Sequence, residues 1–245
     1  MIDWLREDHR NPSVALADRT LPIAIRRHAR ATRLTMRIAP DGSELRITLP
    51  RWGRTRDALV FARARTDWIE AQLARLPQRI EIAPGVTLPF RGTHLLIDWR
   101  EKEPRRPQLA EASLVLGGPQ DTLQPRIRRW MEAEALRHLA DDLAFYCGRG
   151  GHRDLPQLRL SRAQRRWGSC SGQKDDGRCI RINWRLIMAP DHVRRSVVAH
   201  EVAHLTHFDH SPSFHALLGD LYDGDLAHAD RWLKHEGRSL YAAFG

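Results

Sequence analysis

Alternating apolar and polar positions predict β-strands in the first part of the chain. The runs LTMRI (34–38) and LRITL (45–49) each place an apolar residue at every second position. Between them, APDGSE contains proline, aspartate and glycine, which tight turns favour, so the two runs predict a β-hairpin. We expect an earlier strand from Leu21 to Ile25.

The apolar spacing then changes to the period of a helix. Over residues 55–76 the apolar residues share one helical face, and Pro77 ends the run. A second apolar face that includes Ile127 and Leu139 predicts a long helix over about 123–147. The other elements expected in this part are strands near 86–90, 93–99 and 112–116 and a polar loop over 101–108.

The C-terminal part combines two predicted strands with three predicted helices. LRLSRAQRRWGSC (158–170) and GRCIRINW (177–184) are typical of strands, and the turn-rich SGQKDDG joins them. The helices are expected over about 190–207, 212–222 and 226–236. Together the elements predict an α+β fold, with a small basic β-rich lobe over 1–110 and a helical lobe with a short β-sheet over 111–245.

The composition is that of an ordinary globular protein, with 42% hydrophobic and 29% charged residues. No stretch approaches the roughly 18 apolar residues of a membrane span, and the charged start MIDWLREDHRN does not resemble a secretory signal. Cys147, Cys170 and Cys179 are too few and too dispersed for a disulfide framework. We therefore expect a cytoplasmic protein without a membrane partner.

The net charge is +10, from 40 basic and 30 acidic residues. Only three of the basic residues are lysines, so arginine dominates. Two explanations stay open: a surface that binds phosphates through guanidinium groups, or a coding bias that favours arginine. In either case the positive charge favours anionic partners.

A histidine cluster is the clearest candidate for chemistry. Residues 195–215 contain five histidines and one glutamate, and His200, Glu201 and His204 form an HExxH motif in a predicted helix. Histidines four residues apart share a helical face and can converge on one metal ion. The intervening glutamate can then reach a water at the metal without binding the metal itself. The alternative is a histidine-rich, solvated helix end.

A catalytic zinc site usually has three protein ligands, so a third ligand is needed. His207 is disfavoured, because seven residues rise about 10.5 Å along a helix while zinc–nitrogen bonds are only about 2.0–2.1 Å. His210 is favoured, because the turn residues of THFDHSPS can bring it back to the metal. The alternatives that stay open are His215 and the downstream acids Asp220, Asp223 and Asp225.

The segment RWGSC (Trp167, Gly168, Ser169, Cys170) allows two interpretations. It can be simple core packing, or a strand beside the active helix that offers backbone groups to an extended substrate. Cys170 is a poor candidate for a nucleophile, since a metal-activated water makes one unnecessary. Tyr222 or an arginine is the candidate for stabilising the oxyanion.

These motifs, in this order, resemble a known family. RRWGSCSG (165–172), IRINWRLIMAP (180–190) and VVAHEVAHLTHFDHSPSFHALL (197–218) are similar to the YgjP-like metal-dependent hydrolases and, more distantly, to SprT- and WLM-type zinc peptidases. The resemblance implies a zincin-like catalytic lobe with Zn²⁺ bound by His200, His204 and His210, and with Glu201 as the catalytic base. His215 departs from the pattern, because the family often has an aromatic residue there.

The leading hypothesis is therefore a zinc-dependent hydrolase, specifically a metallopeptidase that acts on a peptide or protein through a Glu201-activated water. A metal-dependent nucleoside triphosphate pyrophosphatase is the first alternative, which the net charge favours. A nucleic-acid-associated protein with a basic N-terminal lobe is the second, although no helix-turn-helix, zinc-finger or RNA-binding motif is present in the sequence.

Overall fold

The computed structural model describes residues 12–172 and 177–245. The expectations for the N-terminal segment 1–11 concern residues outside this described part, as do those for most of the SGQKDDG turn. By its contacts, the chain divides into one compact unit of residues 1–78 with Gly245 and another of residues 79–244. The predicted boundary between 110 and 111 does not match this division.

The first unit contains a four-stranded mixed sheet and two helices. Its strand order is β1-β2-β4-β3, with β4 parallel to β2 and antiparallel to β3, which gives the predicted hairpin. The elements are β1 (Ser13–Ala15), β2 (Thr20–Arg27), β3 (Thr35–Ile38), β4 (Leu45–Leu49), α1 (Thr55–Arg63) and α2 (Thr66–Leu73).

The helical pattern over 55–76 forms two helices instead of one. Arg65 takes φ −134° and ψ 29°, outside the helical region, and separates α1 from α2. Apolar residues of both helices, such as Ala62 and Ile69, pack with the inward strand residues Ile23 and Ile47 in one buried cluster. The alternation of apolar and polar residues along these strands therefore determines which face of the sheet packs against the two helices.

The second unit begins with another four-stranded sheet, ordered β5-β6-β8-β7. Leu88, Leu95 and Leu114 of this sheet share a buried cluster with the long helix that follows. This shared core is why the unit begins near residue 79 and not at 111. The elements are β5 (Thr87–Phe90), β6 (Thr93–Trp99), β7 (Gln108–Ala110), β8 (Ser113–Leu116) and α3 (Leu123–Arg149).

A three-stranded sheet and three helices complete the second unit. The predicted strand 158–170 is in fact two strands, and β11 lies between them, parallel to β9 and antiparallel to the edge strand β10. The predicted helix 190–207 ends early, at Ala203. The elements are β9 (Gln157–Ser161), β10 (Gly168–Ser171), β11 (Cys179–Asn183), α4 (Asp191–Ala203), α5 (Pro212–Leu221) and α6 (Leu226–Glu236).

The α+β class is thus confirmed by six α-helices and three small sheets within the described residues. The short strand β7 was not predicted from the sequence, because its three residues are all exposed and show no alternation of buried and exposed positions. Within residues 12–172 and 177–245, no helix combines the length and apolar character that crossing a bilayer requires.

Candidate metal centre

Helix α4 carries the HExxH motif through the core of the second unit. Val193, Val198 and Val202 are almost fully buried, so hydrophobic burial fixes the position of the helix. A buried ion pair adds to this, because Nε of Arg194 donates to Asp142 of α3 across 2.7 Å. The helix therefore presents its last turn, with His200 and Glu201, from a rigid support.

The chain reverses direction immediately after α4. His204 is the C-terminal cap residue, and the amide of His207 donates to the carbonyl of Ala203 across 3.0 Å. Ser211 then caps α5, because its hydroxyl accepts from the amide of Phe214, and Pro212 occupies the first turn. His210 lies directly before this cap, which returns its side chain towards the end of α4.

The turn brings three imidazoles together. Nε2 of His200 lies 3.2 Å from Nε2 of His204 and 3.2 Å from Nε2 of His210. Ligand nitrogens at about 2.0–2.1 Å from one tetrahedral ion lie about 3.3 Å apart, so these separations fit a shared metal. Among the described residues, this is the group whose ligand atoms approach one another closely enough to hold an ion.

The orientation of His204 also suits a ligand. Its Nδ1 lies 2.9 Å from the carbonyl oxygen of His207, and the carbonyl can only accept, so Nδ1 carries the proton. Nε2 is then left with a free lone pair that faces the cluster. The imidazole of His207 lies outside the group of converging ligand atoms, and its backbone carbonyl fixes the tautomer of His204.

Phe214 supports all three imidazoles from below. Its ring is fully buried, and its centroid lies 5.0 Å, 4.6 Å and 4.8 Å from the rings of His200, His204 and His210. Burial, and to a smaller extent the neighbouring histidines, lower the pKa of His200 to about 4. A neutral imidazole is the form that binds a metal.

Glu201 is buried beside the cluster, with 5% of its surface exposed. The amide of Cys170 in β10 donates a hydrogen bond to the carboxylate, but Oε2 is buried without a partner in the described structure. Burial raises the pKa of Glu201 to about 7, while Arg166 and the Cys170 amide oppose this effect. An unpartnered buried carboxylate oxygen is typical of a site that handles a proton or a polar ligand.

Gly168 leaves the space that Glu201 occupies. A Cβ atom at Gly168 would lie 2.3 Å from Oε1 of Glu201, which is much closer than Cβ atoms come to non-bonded atoms. The strand β10 therefore packs against the motif helix through the missing side chain of this glycine. The neighbouring Trp167 packs on Tyr241, with ring centroids 5.8 Å apart.

A pocket of about 610 Å³ opens beside His200 and Glu201. Arg166, Asp230 and His215 supply polar groups at its wall, and Ser196 lies along α4. Its apolar lining comes from Trp167, which directly precedes β10, and from side chains of α4, α5 and α6: Val197, Leu218, Leu226, Ala227 and Leu233.

The residues of the RWGSC segment differ in whether they line this pocket. Gly168 and Trp167 line the pocket, whereas Ser169 and Cys170 do not belong to its wall. Burial raises the pKa of the Cys170 thiol to about 11, so the thiol stays neutral and cannot serve as a nucleophile. Because the amide of Cys170 already bonds Glu201, this edge strand has fewer free backbone groups for a substrate than the sequence suggests.

Tyr222 is not brought into the site. It is buried, its hydroxyl donates to the carbonyl of His192 across 2.8 Å, and it does not line the pocket. Asp223 is also engaged elsewhere, with Tyr146 and Arg195, each at 2.9 Å. Asp225 caps α6 by accepting from the amide of His228.

Two contributions were missed in the sequence analysis. Phe214 packs against the three histidines. The sequence feature that could have indicated this contact is the position of Phe214 three residues after the helix cap Ser211. The wall from α6, including Asp230 and Leu233, had only the weak signal of an amphipathic helix after the motif.

Comparison with known proteins agrees with this geometry. A model of YgjP-like metallopeptidase domains matches residues 32–236, and a metallopeptidase needs a catalytic metal, which the three imidazoles can hold. No curated protein sequence matches significantly. The crystal structure of the metallopeptidase zymogen of Pyrococcus abyssi abylysin is 19% identical to this chain, with a TM-score of 0.34. The match covers 39% of this chain and 92% of that one. The chain belongs to the YgjP-like family of metallopeptidase domains.

Proposed function

We propose that the protein is a zinc-dependent peptidase, with His200, His204 and His210 as the metal ligands and Glu201 as the general base. The observation that carries the proposal is the convergence of three imidazole nitrogens beside a buried, partly unpartnered carboxylate. These residues would supply three ligands to an ion, the number that is typical of catalytic zinc.

Zinc is the ion that this ligand set suits best. Three imidazoles without thiolates or additional carboxylates match the His₃ class of catalytic zinc sites. When bound, zinc supplies Lewis acidity, which makes water nucleophilic near neutral pH and polarises a carbonyl group.

Glu201 performs the proton transfers. Its buried Oε2 has no partner within the described structure, so it is available to accept a proton from the attacking water. The Cys170 amide and the absent side chain of Gly168 hold the carboxylate in place. Glu201 then returns the proton to the leaving amine, which completes the cleavage of an amide bond.

The pocket favours a peptide over a nucleotide. Its largely apolar lining suits the side chain of a peptide residue next to the cleaved bond. A triphosphate needs several converging cations, and among the described lining residues Arg166 is the one arginine or lysine, opposed by Asp230. Arg166 is nevertheless the feature that keeps a nucleoside triphosphate pyrophosphatase as the second candidate.

Parallel assays test the proposal. The zinc-loaded protein is incubated with an unfolded protein and, separately, with a panel of nucleoside triphosphates. We expect peptide-bond cleavage, and a fall of at least about 100-fold in Glu201→Gln, the scale of a lost general base. Glu101→Gln, an exposed loop glutamate, is the matched control and should keep full activity.

The outcomes separate the two candidates. Turnover of nucleotides without cleavage of protein would replace the peptidase by the pyrophosphatase. Full peptidase activity in Glu201→Gln would refute the assignment of the base. In each case metal content is measured on the same samples, so that loss of the metal is distinguished from loss of the base.

A further inference from the structure

The first unit has a strongly uneven charge distribution. Residues 19–40 contain six arginines and residues 45–56 contain four, and neither segment contains an acidic residue. These two segments form β2, β3 and β4, the turn after β4 and the start of α1. Ten of the 40 basic residues therefore lie in these strands and the segments that adjoin them, without an acidic residue among them.

The strand register places three of these arginines on the uncovered side of the sheet. Ile23, Met36 and Ile47, one on each of β2, β3 and β4, point to the helices. Side chains alternate along a strand, so the alternate residues of each strand point to the opposite face of the sheet. Arg37 lies directly opposite Arg46, and Thr48 is flanked by Arg26 and Thr35 on the neighbouring strands. We call the five outward residues Arg26, Thr35, Arg37, Arg46 and Thr48, together with the adjoining Trp52, the Trp52 face.

These arginines are poorly neutralised by the protein itself. Arg46 pairs with Glu44 across 2.6 Å, but Arg26 and Arg37 form no ion pair with any residue in the described ranges. Like charges directly opposite each other on a sheet are destabilising. An anion bound between Arg37 and Arg46 would relieve this repulsion.

Trp52 projects from the end of the same sheet. The amide of Gly53 donates to the carbonyl of Pro50 across 3.1 Å, so Arg51 and Trp52 form the tip of a tight turn. Trp52 is 78% exposed, the highest value among the large hydrophobic residues of the described chain. Trp52 therefore offers an exposed, flat aromatic ring in the turn that directly follows the arginine-bearing strand β4.

We propose that the first unit binds single-stranded nucleic acid on the Trp52 face. The arginines and the threonine hydroxyls contact consecutive phosphates, and an unpaired base stacks on the indole ring of Trp52. A base within a duplex is already stacked, so it cannot use the ring in this way. An anionic membrane fits less well, because an interfacial anchor needs a continuous apolar face.

The experiment is fluorescence anisotropy with the full-length protein and a labelled single-stranded oligonucleotide of about 12 nucleotides, within the range that such sites cover. Affinity should fall steeply with salt, by a slope of about −0.7 per phosphate contacted. We expect Trp52→Ala to weaken binding by about tenfold, the effect of one lost base stack. Trp52→Phe should largely restore it.

Matched variants control for charge and for aromatic content. Trp68→Ala removes another partly exposed tryptophan of the first unit, one that lies between Asp67 and Glu70, and should not change binding. Arg26→Gln/Arg37→Gln should reduce the salt slope by about 1.4, since each phosphate contact contributes about 0.7. Arg153→Gln/Arg238→Gln removes the same charge from the second unit and should leave the slope unchanged.

Three results would overturn the proposal. These are unchanged affinity in Trp52→Ala, equal affinity for duplex and single strand, and binding to anionic phospholipid vesicles without binding to the oligonucleotide. Peptidase activity, measured in parallel, should be unchanged in Trp52→Ala, so failure of this proposal leaves the hydrolase assignment unaffected.

Discussion

Gly168→Ala tests how the site holds Glu201, the proposed general base. The added methyl carbon would lie 2.3 Å from Oε1 of Glu201, whereas C···O contacts normally lie at about 3.3–3.6 Å. The carboxylate must therefore move by about 1 Å. Glu201 is the end of a flexible side chain, so we expect the movement to change the position of the base far more than the stability of the fold.

The expected loss of activity follows from this displacement. A misplacement of about 1 Å can cost about 100-fold in rate, which corresponds to about 2.7 kcal/mol in the activation barrier. Metal content should be unchanged, because the three histidines lie on α4 and the turn before α5, away from the added methyl group. The assay is kcat/KM on the peptide substrate, with metal content and thermal unfolding measured on the same preparation.

Gly148→Ala is the matched control. A Cβ atom at Gly148, in α3, meets no atom within 4 Å, so this variant should be fully active and slightly more stable. Wild-type kcat/KM in Gly168→Ala, with the metal in place, would refute the idea that the glycine positions Glu201. Loss of metal or of folding in that variant would also contradict the account, since both are expected to survive.

Three further predictions concern stability and pH. Phe214→Ala should lower the free energy of unfolding by about 3–5 kcal/mol and weaken metal binding, because the Phe214 ring packs against all three histidines; Phe214→Leu should have smaller effects. Chemical denaturation measures the stability and metal titration measures the affinity. Unchanged metal affinity in Phe214→Ala would contradict the role of the ring in supporting the histidines. Arg194→Met should lower the free energy of unfolding by about 3–5 kcal/mol, because it leaves the buried carboxylate of Asp142 poorly paired. The double variant Arg194→Met/Asp142→Leu should recover much of this loss. A double variant as unstable as Arg194→Met would show that an unpaired buried charge is not the cause. Burial raises the pKa of the Cys147 thiol from 9.0 to about 11, so on raising the pH the unfolded chain loses the thiol proton before the folded chain does. The contribution of this thiol to the free energy of unfolding is therefore fully present below pH 9 and is lost as the pH rises through 11. The urea midpoint should accordingly fall less over this pH range in Cys147→Ala than in the wild type.

Short-range patterns predicted most of the secondary structure and the centre of the site. The hairpin followed from alternation and a turn sequence, and the HExxH helix from its apolar face. The convergence of His210 followed from the turn residues before Pro212, because the rise of a helix disfavours a ligand at His207. Each of these depends on residues close together in the sequence.

Features that depend on distant contacts were not predictable in this way. The unit boundary near residue 79 arises because β5 to β8 share a core with α3, which no local pattern encodes. The role of Gly168 depends on its contact with Glu201, and the position of Tyr222 outside the pocket depends on the bond from its hydroxyl to the carbonyl of His192. The split of the predicted strand into β9 and β10 likewise depends on β11 pairing between them.

Metal content is the measurement that tests the central claim most directly. Untagged wild-type protein, His210→Ala and the matched control His207→Ala are compared by mass spectrometry after equilibration with limiting zinc. We predict about one zinc per chain in the wild type, clear loss in His210→Ala, and retention in His207→Ala, where only a backbone carbonyl is used. Stoichiometric zinc in His210→Ala, or none in the wild type after reconstitution, would contradict the three-histidine centre.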